Sequence, residues 1–230
     1  MSKTMPTKPF RLAGLAALAC ATLALTGCAT KAYNYANFRE ARPASILVLP
    51  PVNSSPDVNA TYSMMSHTTL PLAESGYYVF PVTLVEETFK QNGLTSPHDI
   101  QQVSVAKLRE IFGADSALYI DVKQYGTTYA VISSETRVTA VAKLVDLRSG
   151  KTLWEGAATA SSAEGNNNSG GGLIGMLVMA AVKQIMETVS EQGHLIAGRT
   201  SGRLLMAGQP NGILYGPRSP FYLKDGVPGK

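Results

Sequence analysis

Hydrophobic and polar positions change their period several times along this chain, and each change marks an element. Ile46-Leu47-Val48-Leu49 is an unbroken apolar run stopped by Pro50-Pro51, the pattern of a buried strand with an abrupt end. Asn53-Ser54-Ser55-Pro56-Asp57 is a loop whose last residue suits the cap of a helix predicted from about Val58 to Ala73. Tyr77 to Pro81, short and aromatic, reads as a second strand. Val82 to Gln91 has helical spacing closed by Asn92-Gly93. Ser96-Pro97 opens another helix to about Phe112, with Ile100, Val103, Leu108 and Ile111 at helical intervals. The period then falls from 3.6 to 2. Leu118, Ile120 and Val122 alternate with Tyr119, Asp121 and Lys123, and Val138, Ala140, Ala142 and Leu144 alternate with Arg137, Thr139, Val141 and Lys143. Thr152 to Ser161 is a third such segment, and three strands with short joins predict an antiparallel meander.

Gly165 to Gly172 is the low-complexity stretch, read as a flexible break. Leu173 to Val189 follows with helical character, apolar all round as far as Val182, and Leu195 to Ala207 is a weaker helix. From Gly208 the chain is rich in Gly and Pro and reads as an irregular tail. The expectation is one α/β domain over residues 45–207, a mixed sheet with an antiparallel meander packed by helices, followed by the tail over 208–230. The apolar Leu173, Ile174, Leu177 and Val178 beside the Gly/Asn segment 165–172 are the candidate contact surface.

The first 44 residues obey different rules. Residues 1–11 are polar and basic, 12–25 almost wholly apolar, and Leu25-Thr26-Gly27-Cys28 follows. That is the order of an export signal over 1–27, and its apolar core is too short to span a membrane comfortably. The last four residues match the bacterial lipobox, in which Leu25, Thr26 and Gly27 are read by the signal peptidase. Cys28 becomes the acylated first residue, because a thiolate is the nucleophile that accepts a diacylglyceryl group. The other reading is an ordinary secretory signal. Residues 28–44 then form a tether; the 16 steps from Cys28 to Ala44 reach at most about 55 Å. No Asp follows Cys28, which by analogy with the enterobacterial sorting rule favours the outer membrane, with the body in the periplasm or exposed at the surface.

Charge looks informative until the leader is removed. The chain of 230 residues carries +4 and has an isoelectric point near 9.0. Lys3, Lys8 and Arg11 lie in the leader, which has no acid; without them 17 basic residues face 16 acidic ones. A nucleic-acid partner loses its support. Of the two cysteines, Cys20 lies in the leader and Cys28 at its end, so the rest of the chain has no disulfide, thiolate metal site or cysteine nucleophile.

Candidate chemistry is thin. Gly170-x-Gly172-x-x-Gly175 matches the dinucleotide fingerprint, but polar residues rather than a strand precede it, and a hinge before a buried helix is preferred. His67, His98 and His194 stand apart in sequence without ligand spacing. Ser66-His67 is a neighbour pair without a nucleophile elbow, and Glu86 and Glu87 point to different sides of their helix. No enzyme, cofactor or metal is expected. The most specific feature is Leu144 to Trp154, a hairpin in which Asp146 can accept backbone N–H groups, Gly150 can take a positive φ, and Trp154 packs on the returning strand.

That Asp-x-x-Ser-Gly-Lys-x-x-Trp hairpin is similar to one in the TolB amino-terminal domain and in curli-secretion (CsgG-type) lipoproteins. Ile46-Leu47-Val48-Leu49-Pro50 and Gly113-Ala114-Asp115 before a strand resemble the same superfamily. More closely, Ile46 to Tyr222 resembles a family of bacterial lipoproteins of unknown function described from neisserial surface antigens. The resemblance implies a compact α/β sandwich and a non-enzymatic envelope component. It would be held at the outer membrane by its lipid and act as an adaptor or assembly subunit beside CsgG-like lipoproteins, with self-association a further possibility. CsgG-type channels insert long amphipathic hairpins, whereas the joins here are short, so a pore is not expected. The alternative function is regulation of cell-wall synthesis, resembling the lipoprotein activators of peptidoglycan synthases.

Overall fold

Ile46 and its neighbours form β1 (Ser45–Val48), an interior strand of the sheet. The computed structural model describes residues 33–130, 133–164 and 192–224. Before β1 lies α1 (Ala36–Ala41), within the stretch read as tether; it buries Phe38 and is closed by Arg42 in the left-handed region (φ 45). After β1 the ladder breaks at Pro50-Pro51, which have no N–H to donate. It resumes at β2 (Val52–Asn53), beside the same neighbour strand.

The helix expected over Val58–Ala73 is two helices, α2 (Ala60–Ser66) and α3 (Thr69–Glu74). Pro71 explains the division: in one continuous helix its ring would strike the carbonyl of His67, whereas in the first turn of a new helix it is tolerated. β3 (Tyr78–Val79) and α4 (Val82–Gln91) follow. The helix read from Pro97 to Phe112 is likewise two, α5 (Pro97–Gln101) and α6 (Val105–Phe112). Ser104 stands between them in extended conformation, its hydroxyl accepting the Lys107 N–H at 3.3 Å, a side-chain cap that starts the second helix. Gly113 closes α6 at φ 66.

The meander is β4 (Ser116–Ala130), β5 (Ser133–Asp146) and β6 (Thr152–Ser161), with α7 (Gln192–Leu205) after it. β4 and β5 run well past the alternating stretches that announced them. The sheet has six strands in the order β3-β1-β4-β5-β6, with β2 beside β4, and it does not close. β1 pairs in parallel with β3 and β4, and β2 with β4; β4–β5 and β5–β6 are antiparallel. The architecture is therefore a mixed α/β sheet packed by helices.

Alternation assigns the two faces. Leu47, Leu49, Ala117, Tyr119, Val145 and Leu147 pack against α4, α5 and α6 on one side, through Val85, Phe89, Ile100 and Leu108. The opposite face carries Leu118, Ile120, Val138, Ala140 and Leu144, all buried, with α7 lying against β5, β6 and α2. The segment from Gly208 is irregular but fastened. The Gly216 N–H donates to the Ser75 carbonyl (2.8 Å), and that of Arg218 to the Gly76 carbonyl (3.1 Å).

Candidate functional site

The hairpin between β5 and β6 is built on Asp146. Its backbone N–H donates to the Lys151 carbonyl (2.9 Å), and its carbonyl accepts from Gly150 N–H (2.9 Å). Its Oδ2 accepts both the backbone N–H and the hydroxyl of Ser149, at 2.8 and 2.6 Å. Gly150 sits at φ 71, where a Cβ would be strained. Trp154 is fully buried and its indole N–H reaches the carbonyl of Asn211 (2.9 Å), so the ring clamps the C-terminal strap to the sheet.

A second carboxylate ties this corner to the start of the sheet. Asp115 Oδ2 accepts from the Ala44 N–H, the Ser45 N–H and the Ser45 hydroxyl at 3.0 to 3.1 Å. Its Oδ1 accepts from Arg148 in the hairpin (3.2 Å). Asp146, Gly150 and Trp154 thus form a scaffold, in which the other carboxylate oxygen of Asp146, Oδ1, is buried without a hydrogen bond, 3.8 Å from Arg148 Nε.

The fold also assembles a cluster that spacing along the chain conceals. His67, after α2, and His194, in α7, come together with ring centroids 4.3 Å apart. Ser63 is hydrogen-bonded to His194 Nδ1 (3.0 Å) and accepts from the Tyr125 hydroxyl (3.0 Å). Glycines make the room: a Cβ on Gly193 would stand 2.7 Å from the Tyr125 ring, and one on Gly198 would stand 3.1 Å from the His67 ring. His67 Nε2 is buried without a hydrogen-bond partner. Burial, and next the neighbouring His194, lower the His67 pKa from the ordinary imidazole value. Reading each histidine alone missed this pair, since 126 intervening residues separate them; the one local signal was the small glycine on either side of the later histidine. His194 bonds a serine rather than a carboxylate, and that serine is buried, so the cluster is packed as a joint between α2, α7 and β4.

Solvent meets polar side chains instead on the outer face of the meander. Beyond α5 no described element covers the sheet, and Tyr119, Asp121, Val141, Lys143 and Glu155 line a hollow of about 300 Å³. Tyr119, Lys143 and Glu155 stand in register across three strands. The Lys143 ammonium lies 5.0 Å from the Tyr119 ring centre, and burial raises the Tyr119 pKa. At the sheet edge the β6 carbonyls are covered at both ends, Thr152 by Asn37 (3.1 Å) and Thr159 by Arg203 (2.7 Å), which also pairs with Glu164.

Among the described residues no three His, Cys, Asp or Glu side chains are placed to hold a metal ion. None of their helices is long and apolar enough to cross a membrane. His98 is exposed on α5; Glu86 pairs with Lys90 and accepts from Tyr62, while Glu87 accepts from Gln91. Leu25, Thr26, Gly27 and Cys28, like Leu173, Ile174, Leu177 and Val178, lie outside the described residues.

An open mixed sheet with helices on its faces, carrying scaffolding polar residues, places the chain in the class of single-domain mixed α/β proteins. A crystal structure of lipoprotein GNA1162 from Neisseria meningitidis matches it with a TM-score of 0.51 at 58% identity, covering 62% of this chain and 98% of that one. Residues 33–218 match the family described as "Putative lipoprotein GNA1162-like", and the chain belongs to that family. It is 50% identical over 214 residues to "Putative lipoprotein NMB1124/NMB1162" of Neisseria meningitidis serogroup B, covering 92% of this chain and 96% of that protein. A lipoprotein family implies anchoring to a membrane through the lipid.

Proposed function

We propose that this lipoprotein is a non-enzymatic adaptor or assembly subunit of an envelope transport or secretion complex, acylated at Cys28 and held at the outer membrane. The observation that carries the reading is the outer face of β4, β5 and β6, which no described element covers beyond α5. Asp121, Lys143 and Glu155, of mixed charge, stand there beside buried Tyr119 and half-buried Val141 in a shallow hollow. Such a surface suits contact with another folded protein: shallow, patterned in charge, and backed by a rigid sheet. Leu173, Ile174, Leu177 and Val178 would supply a further, apolar contact. The partners in this reading are other envelope lipoproteins of the CsgG-like kind, or further copies of this chain.

The test is crosslinking in intact cells through a photoreactive residue placed at Lys143 or at Glu155, followed by adduct masses. Adducts with an envelope lipoprotein or channel, absent when the probe is moved to exposed Lys107, support the adaptor reading. A single adduct with a peptidoglycan synthase transfers the chain to the wall-regulator class, and a bare monomer at every probe position rejects the contact surface. Cys28→Ala should leave a longer, unacylated precursor; normal maturation of that variant would refute the anchor.

A further inference from the structure

We propose that the end of the body formed by α1 and the C-terminal strap docks on an anionic lipid bilayer, the same membrane that holds the anchor; this rests on reading Cys28 as the acylated residue. The first argument is reach. Asn34, where the body begins, is six residues after Cys28, at most about 22 Å of extended chain. β4, with 15 residues, is about 50 Å long. The chain enters at the start of β4: Asn37 in α1 bonds the carbonyl of Thr152, which is in register with Val145 and through it with Ala117. An anchor on so short a lead holds this end of the body near the bilayer and leaves the Tyr129 end distant.

The second argument is the surface found there. Phe38, Arg39, Arg42, Tyr215, Tyr222 and Leu223 line a hollow of about 140 Å³ between α1 and the strap. Leu223 in its lining and Phe221 two residues before it are 61% and 55% exposed. Arg39 and Arg42 are exposed and, among the described residues, in no ion pair with a carboxylate, whereas Glu40 between them is taken by Lys151 (3.2 Å). The Arg42 Nε–H donates to the Arg39 backbone carbonyl (3.1 Å), which holds the Arg42 guanidinium against the end of α1. Exposed aromatic and aliphatic tips beside guanidinium groups without a described carboxylate partner, Arg39 lying 5.9 Å from the Tyr35 ring centre, are the composition that partitions into a headgroup layer. The cations meet lipid phosphate and the apolar tips enter the acyl boundary.

The mature acylated protein tests this. Leu223→Cys and Tyr129→Cys each provide a free thiol, Cys28 being blocked by lipid, and Tyr129 is matched in exposure at 53%. Each variant carries an environment-sensitive fluorophore and is anchored in phosphatidylcholine vesicles with or without phosphatidylglycerol. The expected result is a blue shift and several-fold stronger quenching by lipid-borne quencher at position 223 only, dependent on phosphatidylglycerol. Arg39→Glu with Arg42→Glu should lower the ratio of docked to undocked protein by tenfold or more, from roughly fivefold per basic residue. Flotation with the vesicles and the thermal melt should stay unchanged. A position-223 probe as wet as position 129 on floating protein overturns docking alone. A shift that follows protein density rather than phosphatidylglycerol overturns it in favour of self-association. Failure of the parent protein to float overturns the Cys28 reading, and docking with it.

Discussion

Gly156 lacks a side chain because Trp154 occupies the space one would need. A Cβ at Gly156 would stand 2.2 Å from Trp154 Cζ2, closer than any real contact. Neither partner can yield readily, since the ring is buried and its indole N–H is committed to Asn211. Gly156→Ala should therefore destabilise the fold by about 1–3 kcal/mol, the usual cost of overpacking, measured as a lower urea midpoint at unchanged slope. Trp154→Leu in the same background should remove most of the added cost of the alanine, which an intrinsic strand effect would not allow. Asp115 makes a complementary case. It collects three donors from Ala44 and Ser45 and one from Arg148, so Asp115→Ala should cost about 2–3 kcal/mol, the worth of bonds to a partly screened charge. Amide exchange should rise first at Ala44 and Ser45.

Among the elements, β4 shows where the sequence stops being readable. Its alternation is plain from Leu118 to Lys123, and the sheet obeys it. At Lys123 the register slips by one residue, and Tyr125 pairs with Val138 on the buried face. The bulge re-aims Tyr125 toward Ser63, and strict alternation gives no sign of it. A second bulge, between Leu144 and Val145 across from Leu153, lets consecutive Leu153 and Trp154 both be buried. The hairpin turn was legible because its chemistry is local: the bonds from Ser149 and Gly150 to Asp146 all close within five residues. The divided helices were half legible, since Pro71 and Ser104 are visible breakers inside otherwise periodic runs. The histidine pair was not, because only the packing of α7 over α2 brings it about. Tyr125→Phe isolates the consequence of the first bulge. It should cost about 1 kcal/mol, one neutral hydrogen bond, and leave the sheet intact by far-ultraviolet circular dichroism.

For the whole molecule, the joint between α2 and α7 makes stability depend on pH. In the folded protein burial penalises the His67 imidazolium, and His194 at 4.3 Å would repel it, so His67 takes up its proton only below the ordinary imidazole pKa. The unfolded chain protonates it near the ordinary value, about 6.5. Between that value and the lower folded one the unfolded state holds more protons, and stability must fall as pH falls through the window. Above it His67 is neutral in both states and contributes no slope. The same joint fastens the molecule beyond the ring itself, because Ser201 in α7 donates to the His67 carbonyl (2.8 Å). Opening at acid pH should thus begin where α7 leaves α2. The expected outcome is a melting temperature that drops between neutral pH and pH near 5, with exchange of the α7 amides rising ahead of those in β5. His67→Gln, which keeps a polar side chain but cannot titrate, should flatten that drop without abolishing folding. An equal drop in the variant would place the acid sensitivity in some other group and leave His67 a packing residue only.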